Sequence, residues 1–326
     1  MTPVPADMLA LEGERHEFAG RAGRIGGYLA GPAAARLAVP SAPFGSPLSL
    51  APTPLPPLLL VHSVNAAGSA AEMRPLFEHA RLTRTVLAID LPGFGLSERS
   101  DRVYNPRLMT DALHDALDWL QQHTGASTVD MLGLSLSCEF VARAAVEAPA
   151  RVRRLALVSP TGFRGSKLRF GPAAGSVGPA WLPKALQGPI FYPGGGWGAG
   201  LFRGLTRPGV VRYFLERTWG SKQIDEALWR YDVLTTRQPG AHHAPLYFLA
   251  AQLFSTDVNS LYLALTQPVW MSHGTRGDFT DYRGKHSVEN LPHWRFSVFP
   301  DTGALMYFEQ PHAFCAQLDS FLNEEA

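Results

Sequence analysis

Five consecutive residues, Gly133-Leu134-Ser135-Leu136-Ser137, have the types and the spacing for nucleophilic chemistry. They follow an apolar run, Val129-Asp130-Met131-Leu132, and open a helical pattern, so Ser135 falls at a sharp strand-to-helix turn. A hydroxyl held there is exposed at the end of the strand, where it can attack a carbonyl carbon. The turn is crowded, so the residues two before and two after the serine must be small. Gly133 meets that need, and Ser137, in place of a second glycine, is the next smallest choice. The pentapeptide alone is a short motif, and small residues are common in such loops. Its place directly after a buried-strand pattern is what makes Ser135 the candidate nucleophile.

The elements that must position this serine are legible in the apolar pattern. Leu58–Val61, Val86–Ile89, Val129–Leu132, Leu155–Val158, Val269–Met271 and Phe296–Phe299 are short runs of the kind expected for strands of a parallel sheet. Helical patterns around 70–81, 107–123 and 137–148 separate the first four. Strand and helix alternating in this way predict a right-handed, doubly wound parallel sheet. Alternation around Gly26-Gly27 in residues 15–30 predicts an antiparallel hairpin at a sheet edge. Residues 31–57, rich in Ala, Pro and Ser, read as a long surface loop.

From 161 to 264 the alternation stops. Helical segments broken by Gly and Pro carry many aromatics, among them Trp181, Phe191, Tyr192, Trp197, Tyr213, Phe214, Trp219, Trp229 and Tyr247. This predicts a helical insertion over the sheet edge, with some of its aromatics lining a pocket, and with mobile joints at glycines 194–196 and at Arg207-Pro208-Gly209. The chain then returns to the sheet. It ends on a helix with Pro311 in the first turn and Phe314, Leu318, Phe321 and Leu322 as its apolar stripe.

From about residue 56 onward the chain resembles the α/β-hydrolase superfamily. Four segments carry the resemblance. Leu59-Leu60-Val61-His62-Ser63 looks like the third strand and oxyanion loop, with Ser63 where glycine is usual. Asp90-Leu91-Pro92-Gly93-Phe94-Gly95-Leu96-Ser97 is similar to the family's Asp-x-x-Gly-x-Gly-x-Ser turn. Gly133–Ser137 is the nucleophile elbow, and Gly303–Pro311 resembles the closing Gly-His-x-x-x-x-Glu-x-Pro. The resemblance implies an α/β-hydrolase fold: a doubly wound, mostly parallel sheet with a helical cap inserted between strands. It divides the chain into a first core part, 1–160, a cap, 161–264, and a second core part, 265–326.

The resemblance also implies roles. The oxyanion of a tetrahedral intermediate would sit on the backbone N–H groups of Leu136 and Val64, helped by the dipole of the helix after Ser135. The acid falls to Asp278, one residue later than the commonest Gly-x-x-Asp spacing, with Asp281 as competitor. The base should directly follow Gly303, but the residue there is Ala304, while Glu309 and Pro311 keep their expected offsets. Three explanations stay open: a histidine from elsewhere, a protein that is not a hydrolase, or an engineered substitution. His62 and His273, each at a strand end, are the candidate substitutes. His242 and His243 in the insertion are more remote ones, and His312 should point away.

Composition narrows the partners. The 326 residues carry a formal net charge of +1 and only 17% charged residues, which gives no reason to prefer nucleic acid or an anionic membrane. Two cysteines, Cys138 and Cys315, suggest neither a disulfide framework nor a zinc site. No metal, nucleotide or flavin motif is present, so no cofactor is expected. Without a signal-peptide pattern or a membrane-length apolar stretch, a cytoplasmic protein is the expectation. The sequence carries no sign of oligomeric state. The leading expectation is a carboxylic-ester hydrolase for a small apolar or aromatic ester, with Ser135 as nucleophile and a non-standard or missing base. The alternatives are a catalytically silent relative that binds a small apolar ligand, and a cofactor-independent lyase or transferase.

Overall fold

A computed structural model describes residues 9–32, 55–165, 167–187 and 197–324. Eight strands form one sheet in the order β1-β2-β4-β3-β5-β6-β7-β8. β1 (Glu14–Gly20) and β2 (Gly23–Ala30) are an antiparallel hairpin, and β2 pairs antiparallel with β4. The strands β3 (Leu58–Val61), β4 (Val86–Ile89), β5 (Val129–Leu134), β6 (Val152–Val158), β7 (Val269–Gly274) and β8 (Trp294–Phe299) run parallel to one another.

Alternation along each strand sorts its side chains between two layers. Leu59, Val61, Leu87, Ile89 and Met131 pack with Met109, Leu113 and Leu117 of α2 (Pro106–Thr124) and with Phe140 and Val141 of α3 (Ser137–Glu147). Leu58, Leu60, Ala88, Leu132 and Val158 face the other way. They meet Leu76 and Phe77 of α1 (Arg74–Ala80) and Phe314, Leu318 and Phe321 of the C-terminal helix, Pro311–Asn323. Each fully buried Leu or Phe contributes about 1.5–3 kcal/mol, so the two layers fix the ends of the central strands firmly. The apolar stripe expected on the last helix is buried as read, and His312 is exposed.

Between β6 and β7 the described residues form six helices. They are α4 (Trp181–Gln187), α5 (Trp197–Leu205), α6 (Pro208–Trp219), α7 (Glu226–Thr235), α8 (His243–Leu249) and α9 (Val258–Ala264). They cover the C-terminal ends of the parallel strands, where Leu134, Ser135, Ser159 and Pro160 share a cavity with Leu215, Leu228 and Phe248. No helix among the described residues is long and apolar enough to cross a membrane.

The expected edge hairpin is formed by β1 and β2; it turns at Arg21-Ala22, and Gly26-Gly27 lies inside β2. Those glycines are there for close approach: a Cβ on Gly26 would stand 2.5 Å from Leu96 Cβ, and one on Gly27 2.8 Å from Ala88 O. Most of the loop expected at 31–57, together with Phe191, Tyr192 and glycines 194–196, lies outside the described residues. Of the aromatics expected to supply a pocket lining from 181–247, none of those described does so. Trp181, Trp197, Tyr213 and Phe214 are exposed and Trp219 is buried in the packing beneath the cap; the cavity takes its aromatic wall from Phe248, Phe254, Phe279 and Tyr282.

Candidate active site

Ser135 follows β5 directly and has φ +56°, in the left-handed region. For a non-glycine residue that conformation costs of order 1–3 kcal/mol and persists only where the surroundings over-determine it. Here the Ser135 N–H donates to Val158 O at 2.8 Å, which carries the chain past the end of β6 before α3 begins. A Cβ on Gly133 would press on Val141 at 2.9 Å, which accounts for the first small residue of the elbow. The second has a polar role: the fully buried Ser137 hydroxyl donates to the carbonyl of His62 and ties the elbow to the end of β3.

The loop after β3 faces Ser135 across the cavity. Ser63, Val64 and Asn65 line it together with Ser135 and Leu136. The loop is held by Glu72, a buried carboxylate that accepts from Ser63 N–H (2.7 Å), Ser63 Oγ (2.9 Å) and Asn65 Nδ2 (2.8 Å). The N–H groups of Val64 and Leu136 have no hydrogen-bond partner among the described residues. Two unpaired amides beside a nucleophile are the donor set an oxyanion needs.

His62 does not serve as the base. The ring is fully buried, Nε2 accepts from Leu91 N–H at 3.0 Å, and Nδ1 contacts Ser63 O at 2.6 Å. The amide can only donate, so Nδ1 must carry the proton, and both nitrogens are engaged with backbone. The residue locks the oxyanion loop to the turn after β4. That turn folds around Asp90, whose carboxylate accepts from Ala70 N–H (2.7 Å) and Leu96 N–H (2.8 Å). Gly95, at φ +45°, would place a Cβ 1.9 Å from Asp90 Cγ, which explains that glycine of the motif.

His273 is also removed from Ser135. Nδ1 binds Gly274 O at 2.9 Å, burial lowers its pKa, and its ring stacks on Tyr282 with centroids 4.1 Å apart. Tyr282, not His273, stands on the cavity wall, and among the described residues no histidine lines the cavity. The rings of His242 and His243 lie 4.1 Å apart and tilted by 37° at the start of α8, where burial lowers both pKa values.

The corner where an acid and a base would stand is filled by the end of α6. Ala304 N–H donates to Thr218 O at 3.1 Å, and a Cβ on Gly303 would lie 2.5 Å from that same oxygen. Gly277 occupies the commonest acid spacing. Its φ is +84°, and a Cβ there would meet Arg217 O at 2.6 Å. Asp278 reaches the cavity wall, but its carboxylate is held by Arg217, Nε to Oδ2 at 2.5 Å and Nη2 to Oδ1 at 2.8 Å. Asp281 is bound by Arg283 through both oxygens and by Gly165 N–H, and Arg283 holds its pKa below the usual carboxylate range. Arg276 binds Trp219 O at 2.9 Å, Asp301 O at 2.5 Å and the carboxylate of Glu309, which accepts Gly303 N–H at 2.7 Å. The loops after β7 and β8 are thus joined to each other and to the end of α6.

The cavity has a volume of about 460 Å³, in the range of small-molecule sites. Its apolar wall includes Leu134, Leu136, Leu215, Leu228, Phe248 and Leu305. Its polar side is the segment after β6, with Thr161, Arg164, Lys167 and Arg169. Sequence reasoning missed Arg169 and the fully buried Glu139 beneath it, which accepts from Arg169 Nη2 and from Thr161 Oγ1, each at 2.5 Å. It also missed the Glu72 brace. Neither pairing leaves a spacing signal, since the partners come together only through the sheet.

A family model described as the alpha/beta hydrolase fold matches residues 56–189. The chain is 32% identical over 108 residues to a 2-hydroxymuconate semialdehyde hydrolase of Pseudomonas sp. (strain CF600), covering 32% of this chain and 37% of that protein. It is 27% identical over 165 residues to a human (Lyso)-N-acylphosphatidylethanolamine lipase, covering 49% and 47%. The chain spans less than half the length of the curated relatives it matches. Among solved structures, a carboxylesterase from Bacillus subtilis superposes with a TM-score of 0.66 at 17% identity, covering 97% of this chain and 93% of that one.

Proposed function

We propose, from the match of residues 56–189 to the alpha/beta hydrolase fold and from the shared fold, that this chain is a hydrolase acting on a small carboxylic ester, with Ser135 as nucleophile. The ester carbonyl enters the cavity with its oxygen on the N–H groups of Val64 and Leu136. Ser135 Oγ attacks the carbon, the oxyanion forms on those two amides, the alcohol leaves, and water releases the acid from the acyl-serine. The serine proton passes to water, because among the described residues no histidine lines the cavity and its carboxylates are already engaged. Losing the base of a serine triad costs about 10⁶ in turnover, while an oxyanion hole and binding alone retain about 10³–10⁴ over water. The proposal is therefore a slow hydrolase. The observation that carries it is the left-handed Ser135 at the sheet edge beside two unpaired amides.

A second reading is a silent relative that binds a small apolar ligand. The observation favouring it is the end of α6 packed into the acid–base corner. One comparison separates the two. The protein and its Ser135→Ala variant are treated with a fluorophosphonate probe and assayed with p-nitrophenyl butyrate. Labelling and turnover that both vanish in the variant support the hydrolase. A folded wild-type protein that neither labels nor turns over supports the binder.

A further inference from the structure

The acids and bases on the cavity wall are not paired with one another. Its three acids each have partners: Glu72 in Ser63 and Asn65, Asp278 in Arg217, and Asp281 in Arg283. Its three bases all lie on the segment leaving β6. Arg169 is preorganised. Nη2 binds the buried Glu139, Nη1 donates to Ser255 O at 2.8 Å, and the guanidinium lies 5.9 Å from the centre of the Phe254 ring. Its Nε–H has no partner among the described residues. Arg164 and Lys167 are exposed and have no ion-pair partner among the described residues. The segment begins beside the nucleophile, where Thr161 N–H meets Ser135 O at 3.4 Å.

We infer that the cavity selects a compound carrying a carboxylate in addition to its reacting carbonyl, and that Arg164, Lys167 and Arg169 form the carboxylate subsite. This rests on the reading of Val64 and Leu136 as the carbonyl site. The apolar middle of such a compound lies against Leu215, Phe248 and Phe254. Arg169, whose charge is already met by Glu139, offers only its Nε–H as a fixed donor, so the charge preference comes from the two exposed cations, which raise the local concentration of anions in a salt-dependent way. The substrate class is then a half-ester, or an ester of an acid with a second carboxylate. Hydrolysis consumes one water and yields a free acid and an alcohol.

Binding of ligands that cannot be hydrolysed tests the subsite apart from Ser135 chemistry. Calorimetry compares 4-phenylbutyrate with the neutral 4-phenylbutyramide, in the wild-type protein and in Arg164→Gln/Lys167→Gln, both changes being at exposed positions. The expected result is a carboxylate preference of about tenfold at low salt, which corresponds to about 1.4 kcal/mol. It should shrink to less than about threefold in the double variant and at an ionic strength of about 0.5 M, where screening acts within roughly 4 Å. Equal binding of the two ligands, no binding of either, or a preference unchanged in the double variant overturns the inference. So does tighter binding of the phosphonate of equal length. Failure of the probe to label Ser135 would sink the hydrolase reading and leave this result standing.

Discussion

Arg217 and Asp278 form a two-bonded ion pair between the last turn of α6 and the loop after β7, with contacts of 2.5 and 2.8 Å. A carboxylate fastened in this way to the cap is not available to orient an imidazole. The pair lies beside Ala304 in one packed corner. Thr218, Gly277 and Gly303 are packed together where a base and its acid would need to meet.

Replacing Ala304 with histidine should therefore restore little. In the best-studied serine triad the loss of the acid alone costs about 3 × 10⁴ of the roughly 10⁶ lost with the base, so an unoriented histidine is worth about 10²-fold at most. Turnover of p-nitrophenyl butyrate by Ala304→His should rise by no more than that. A gain of about 10⁴ or more would mean that Asp278 leaves Arg217 to serve the new histidine.

Ser137→Gly, which restores the usual elbow motif, should destabilise the protein. The hydroxyl that bonds His62 O is lost, and a buried carbonyl loses its donor. A cost of about 1–3 kcal/mol is expected for an acceptor left unpaired. Urea denaturation of both proteins measures it; an unchanged midpoint would show that the bond contributes nothing.

Asp232, on α7, is buried with Oδ1 lacking a partner, and burial raises its pKa well above the usual carboxylate value. Its folded pKa exceeds its unfolded one, so the native state binds the extra proton. Stability falls as pH rises from about 4, the unfolded value, toward the folded pKa. Asp232→Asn removes that dependence. The variant should be more stable than the parent at pH 7 by about 1 kcal/mol or more, since one pKa unit is worth about 1.4 kcal/mol. The gain should fade toward pH 4. Denaturation midpoints at pH 4, 5.5 and 7 give the answer, and a gain that grows as pH falls would contradict the assignment.

Much of the sheet was legible because burial on both faces writes itself as an apolar run: Leu58–Val61 and Val86–Ile89 are β3 and β4 residue for residue. The elbow was legible because its sterics restrict residue types at fixed offsets. What sequence could not carry is direction. His62 stands at the expected strand end, yet its ring is committed to Leu91 and Ser63. Asp278 is near the expected acid position but turns to Arg217, a residue 61 positions away. The plainest available signal was Gly277 at the commonest acid spacing, which leaves two vacancies to read together rather than one.

The buried Glu139 on α3 has a consequence for how a ligand enters. Its two oxygens receive Thr161 and Arg169 from the first residues of the insertion and Ser255 N–H from its last. Four residues along the same helix, Arg143 holds the buried Asp257 through two more bonds, at 3.2 and 2.6 Å. Both roots of the insertion are thus riveted to the helix that carries the nucleophile turn. A lid hung from such roots does not swing as a door. The end of α6 is held too, by Arg217–Asp278 and by Ala304 N–H on Thr218 O. The insertion must therefore part among α4 and α5, so amide exchange should be slow at residues 255–259 and at the end of α6 and faster across α4 and α5.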